Sequence, residues 1–194
     1  MTLPFWEDGY QLVEGLLDQD KLALASAAMD HSSASGLTKL RTDPAVGHAE
    51  DEYSPRIGDM LLAHCQPAIE AVVGRALIGS YAYWRIYREG GVMQRHRDRA
   101  ASEVAVSIGI GTEPGTPDWP LRIQDLHGKE MAIVIPPGAG LVYQGHAIEH
   151  WRDRLDTGAQ RQLFIFYVFK DGEFANHAGD RIEVPVSRWG NADD

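Results

Sequence analysis

His96 and Asp98 stand two residues apart at the end of an aromatic stretch, Ser80 to Asp98, that is interrupted by Gly90-Gly91. Side chains alternate along a strand with period two, so an imidazole and a carboxylate at that spacing share one face. One further imidazole would complete a facial set of two His and one carboxylate. Such a set leaves half of an octahedron open and suits non-heme Fe(II) that activates oxygen. Two histidines could supply it, His146 and His150, both following the turn–strand–turn pattern Gly138 to Gly145. His150, followed directly by Trp151-Arg152, is the first choice.

Alone, His-x-Asp is weak evidence, because so short a motif arises readily by chance. Its surroundings add weight. On the strand that precedes it, alternation places Tyr81, Tyr83, Arg85 and Tyr87 on one face and Ala82, Trp84 and Ile86 on the other. A face of tyrosines and an arginine is polar enough to line a pocket. Arg161, eleven positions after His150, opens the next strand and could point into the same barrel to pair with a dicarboxylate. Arg85, Arg88, Arg95, Arg97, Arg99, Arg152, Arg154 and Arg161 all flank these positions, although the net charge is −10. Arginines gathered near one site in an acidic chain suggest an anionic small molecule there. The acidic balance disfavours nucleic acid, whose binding rests on cationic contacts to phosphate.

The elements that must hold these residues follow from the pattern. At 194 residues the chain fits one domain. Gly9 to Glu14 reads as a short strand, Asp18 or Asp20 caps a helix to about Met29, and 31–53 is a long connection and a possible lid. Ser54-Pro55 opens a second helix, which Pro67 should divide. His64 and Cys65 lie in its apolar pattern and read as packed residues. From residue 77, strands at 77–87, 103–110, 120–125, 131–135, 140–144 and 161–169 alternate with Gly, Pro and Asp turns. The expectation is a mainly β (α+β) fold, a jelly roll over 77–170 supported by an N-terminal helical layer over 1–76, with an irregular tail over 171–194 pinned by Trp189. One cysteine, no apolar run long enough to span a bilayer and no signal-peptide pattern at the start point to a cytoplasmic protein without a membrane partner.

These motifs together resemble the Fe(II)/2-oxoglutarate-dependent dioxygenases. The features shared are the Tyr-x-x-Gly-Gly turn before His96-x-Asp98-Arg99, the distal Gly-x-x-x-x-His150-Trp-Arg and a basic residue about ten positions further on. The resemblance covers about residues 77–170 and implies a double-stranded β-helix. It implies Fe(II) on His96, Asp98 and His150, with 2-oxoglutarate and O2 as cosubstrates. Arg161 would hold the distal carboxylate, helped by Tyr87 or Tyr83. Leu163 stands where the family often has Ser or Thr, which leaves Arg152 and Arg85 as substitutes for Arg161. The implied reaction hydroxylates a C–H bond of a small molecule or an amino-acid side chain and releases succinate and CO2. A cupin-like metal sensor or isomerase is the alternative.

Overall fold

The computed structural model describes residues 3–180. Trp189 lies outside them. The helices are Pro4–Glu7 (α1), Gln19–Ala34 (α2) and Arg56–Val73 (α3). The strands are Tyr10–Val13 (β1), Lys39–Arg41 (β2), Ala49–Tyr53 (β3), Leu77–Arg88 (β4), Met93–His96 (β5), Val104–Thr112 (β6), Leu121–Gln124 (β7), Glu130–Ile133 (β8), Gly140–Tyr143 (β9), Glu149–Arg152 (β10) and Ala159–Phe169 (β11). They form a seven-stranded sheet ordered β1-β9-β6-β11-β4-β3-β2 and a four-stranded sheet ordered β5-β10-β7-β8. The expected mainly β jelly roll with helical support is what the chain adopts. No helix among the described residues is long and apolar enough to cross a membrane.

Two apolar layers follow from strand alternation. Ala82, Trp84 and Ile86 of β4 join Leu163 and Ile165 of β11 in a core beneath the helices. Tyr81 and Tyr87, with Phe164 and Phe166, face the second core between the two sheets. Large apolar side chains buried this completely contribute about 1.5–3 kcal/mol each. The helices present matching stripes. In α3 the buried residues Leu61, Cys65, Ile69 and Val73 recur every fourth position. Cys65 is thus a core residue, whereas His64 is exposed. Pro67 does not divide this helix. Its missing N–H removes one bond of the ladder, and packing of the apolar stripe carries the helix through. Asp18 caps α2 through a bond from the Lys21 N–H to Oδ1 at 2.9 Å.

The connection over 31–53 contains the end of α2 and a β2–β3 hairpin that extends the large sheet past β4. Its 45–48 portion is bonded across the gap between the sheets. The N–H groups of Val92 and Gln94 donate to the carbonyls of Val46 (2.8 Å) and Ala45 (3.0 Å), and that of Arg88 donates to His48 (3.0 Å). The segment is therefore a fixed wall of the barrel on the β4–β5 side.

Candidate metal centre

The short strand β5 ends on His96, and antiparallel β10 places His150 directly opposite it. Residues opposed in this way point to the same side of the sheet, and the two ring centroids lie 4.3 Å apart. Each Nδ1 rests on a carbonyl two residues back in its own chain: His96 on Gln94 at 2.7 Å, His150 on Ile148 at 3.1 Å. Carbonyls only accept, so each Nδ1 carries the proton and each Nε2 offers a lone pair. Both Nε2 atoms face Asp98 Oδ1, at 3.4 Å from His96 and 3.6 Å from His150. The three ligand atoms lie within 4.8 Å of one another.

Asp98 is held by its own backbone, whose N–H donates to the Gly145 carbonyl at 2.8 Å. A Cβ at Gly145 would stand 2.7 Å from Asp98 Oδ2, so only glycine lets the turn before β10 approach the carboxylate this closely. Asp98 Oδ2 is buried without a partner. Burial pushes the Asp98 carboxyl up, but His150 and His96 beside it, which donate to it and attract it when protonated, outweigh burial and leave the pKa below the usual value. For His96, burial works downward, while the bond to Asp98 and the Gln94 carbonyl prevail and raise it. The His150 side chain is 2% exposed and that of His96 42%, so the open approach to the cluster runs past His96. A cavity of about 330 Å³ lies there, walled by Val46, Tyr83, Arg85, Met93 and His96.

The remaining expected site residues divide by strand face. Tyr83, Arg85 and Tyr87 point between the sheets. Arg85 is neutralised there by Asp51, which accepts from its Nε and, at 2.7 Å, from its Nη2. The Tyr87 hydroxyl accepts from Arg85 Nη1 at 3.2 Å. His146 is exposed, with its ring against Phe174, and stays outside the cluster. Arg161 turns the other way. It shares the helix-facing side of β11 with Leu163 and Ile165 and bonds Asp30 of α2 at 2.8 Å. The expectation that it points into the barrel is corrected by this parity: the inward residues at that end of β11 are Gln160 and Gln162.

Arg152, one of the two substitutes for Arg161, does face inward. It lies two residues beyond His150, on the same inward face of β10, and is 2% exposed. Nη1 donates to the Trp119 carbonyl at 2.5 Å and the guanidinium sits 4.7 Å from the Trp119 ring, but Nε and Nη2 have no partner. Burial pulls its pKa down to about 10, which leaves it charged at neutral pH. The arginines counted on to attract an anion are otherwise largely committed. Arg88 pairs with Glu50 and Glu113, Arg95 with Glu130 and Glu149, and Arg99 with Asp180. Gln162 was not singled out in the sequence. It is fully buried, and its Nε2 also lacks a partner.

No protein-family model matches the sequence, and no curated protein does. Solved structures do match. A Pseudomonas putida prolyl-4-hydroxylase superposes with a TM-score of 0.67 at 16% identity, over 84% of this chain and 94% of that one. An oxidoreductase of the 2OG-Fe(II) oxygenase family from Burkholderia pseudomallei gives 0.70 at 13%, over 84% and 87%. SnoK, a non-heme alpha-ketoglutarate-dependent carbocyclase of nogalamycin biosynthesis, gives 0.71 at 9%, over 86% and 82%. The chain has the fold of the Fe(II)/2-oxoglutarate-dependent oxygenases, the small double-stranded β-helix type.

Proposed function

We propose that this chain is an Fe(II)- and 2-oxoglutarate-dependent oxygenase that hydroxylates a C–H bond of a small molecule or an amino-acid side chain. One observation supports this reading above the rest. Among the described residues, the buried side-chain nitrogens and oxygens without a partner are Asp98 Oδ2, Arg152 Nε and Nη2, and Gln162 Nε2. Buried polar groups left unpaired are costly, and few survive in a folded protein without a reason. Here one acceptor sits in the His-Asp-His cluster and three donors sit on inward positions deeper in the barrel. A ligand that chelates a metal with one end and offers a carboxylate at the other answers both.

His96, Asp98 and His150 would hold Fe(II): two imidazoles and one carboxylate are the donor set that suits it and leaves positions for other ligands. Bound Fe(II), together with 2-oxoglutarate and O2, supplies the oxidising chemistry, in which 2-oxoglutarate becomes succinate and CO2. The chain's own residues bind and orient. Arg152 provides a desolvated guanidinium fork for the distal carboxylate, the geometry in which charge-assisted bonds are strongest. Asp51 keeps Arg85 from competing for that carboxylate. Leu121, Ile123 and Tyr143 line the inter-sheet core and exclude water around the cluster. Substrate enters beside His96. A cupin-like sensor or isomerase would have no use for a buried, unpaired guanidinium beneath the metal ligands.

The neighbours include an epimerase and a carbocyclase, so the product must be identified chemically. The reading is tested by measuring succinate from 2-oxoglutarate in air with added Fe(II). Wild-type protein is expected to exceed the Asp98→Ala variant, and equal amounts from the two would contradict it.

A further inference from the structure

A second cavity, of about 320 Å³, lies at the end of the barrel away from the metal ligands. Its walls include Gly111, Thr116, Trp119, Pro136, Gln160 and Gln162. Two of these are shared with the proposed cosubstrate anchor. Trp119 holds Arg152 by its carbonyl and its ring. Gln162 lines the cavity and contributes one of the unpaired donors. Ser107 Oγ donates to Gln162 Oε1 at 3.1 Å, which fixes the amide so that Nε2 is the group left over. The wall behind the anchor is thus polar, partly unpaired and backed by space. The bulge between β6 and β11 falls beside that space, between Arg161 and Gln162, and Gln160 and Gln162 face it from the inward side of β11.

We propose that this cavity is a rear extension of the cosubstrate pocket, with Gln162 as its inner donor, so that the site accepts 2-oxo dicarboxylic acids longer than 2-oxoglutarate. The inference rests on the oxygenase reading. A carboxylate held by Arg152 alone would face the Gln162 amide across the pocket, and one more methylene would carry it toward that amide and into the cavity. Closing the cavity should penalise the longer acid selectively. Gln160→Trp does this from an inward position that lines the cavity and is separate from the Arg152 anchor, and an aromatic residue suits a strand.

The test is calorimetric binding of 2-oxoglutarate and 2-oxoadipate to Ni(II)-loaded protein, which requires no turnover. In the wild type the two dissociation constants are expected to agree within roughly tenfold, the scale of one methylene in a pocket. Gln160→Trp should weaken 2-oxoadipate by at least about tenfold and change 2-oxoglutarate by less than about threefold. Gln162→Leu should weaken 2-oxoadipate more than 2-oxoglutarate. Binding of 2-oxoglutarate with no detectable 2-oxoadipate, or equal losses for both acids in Gln160→Trp, would overturn the rear extension and leave the oxygenase reading intact. Failure of folded, metal-loaded protein to bind either acid would overturn both.

Discussion

His96 and His150 are directly opposed on adjacent antiparallel strands, and each Nδ1 is bonded to the carbonyl two residues before it. The two rings are therefore fixed in the same tautomer by the same local geometry. Metal affinity depends on that tautomer and on the carboxylate between the rings. Asp98→Ala is expected to lower metal affinity by more than the 10–100-fold typical of losing an outer hydrogen-bond partner. Calorimetric metal titration checks this, with far-UV circular dichroism confirming that the fold persists.

Gly145 is expected to behave as a positioning residue. In Gly145→Ala the new methyl presses on Asp98 Oδ2 and the Ser102 carbonyl. Overpacking of this kind costs about 1–3 kcal/mol. The variant should also lose metal affinity by roughly 10–100-fold. An Ala variant that is destabilised in urea but binds metal like the wild type would remove Gly145 from the site.

Metal binding should weaken on acidification, because an imidazolium cannot ligate. Without metal, the raised pKa of His96 means that the decline begins above pH 6.5, the ordinary histidine value. Asp98, held below its ordinary pKa, adds nothing until far lower pH. The same shift makes a stability statement for the metal-free protein. The His96⁺–Asp98 contribution is fully present below the unfolded histidine pKa and is lost as pH rises through the raised one. Urea midpoints of metal-free protein between pH 5 and 8 should show that sign at His96, and His96→Ala should abolish it.

Arg152 and Arg161 should separate cleanly. Arg161→Ala removes a partly exposed pair with Asp30, which is worth at most about 1 kcal/mol, and should leave 2-oxoglutarate affinity unchanged. Arg152→Met should weaken it by about 2–5 kcal/mol. The same change exchanges an uncompensated buried charge for an apolar chain, so ligand-free stability should hold or rise. Binding titrations and thermal unfolding of both variants provide the check.

Asp51 is fully buried and accepts from both Arg85 and Arg41. Asp51→Asn leaves the Arg85 guanidinium buried without its counter-ion and should cost about 3–5 kcal/mol. A urea series with an unchanged slope would measure it.

What could be read from the sequence, and what could not, follows from which faces are buried. The period-two pattern of β4 separates Tyr81, Tyr83, Arg85 and Tyr87 from Ala82, Trp84 and Ile86, because one face is aromatic and polar while the other is apolar. His96 and Asp98 were legible by spacing, and the jelly roll by its succession of short strands. The ligand-bearing strands β5 and β10 were not. Each is four residues long, and Met-Gln-Arg-His and Glu-His-Trp-Arg carry little strand signal. The face taken by Arg161 was illegible for a different reason. Both faces of β11 are buried, so Leu163 and Ile165 look no different from Phe164 and Phe166, and parity cannot be assigned from hydrophobicity. Distance from His150 along the chain says nothing about which face a residue takes. Gln162 gave no signal at all, since an unpaired buried amide is something only packing reveals.

The central claim is that His96, Asp98 and His150 hold one Fe(II) on which 2-oxoglutarate chelates. The most direct measurement is an anaerobic titration of the protein with Fe(II) and then 2-oxoglutarate, monitored in the visible. The expected result is a charge-transfer band that saturates at one equivalent of iron and is absent from Asp98→Ala and His150→Ala. A band of equal strength in either variant, or none in the folded wild type, would contradict it.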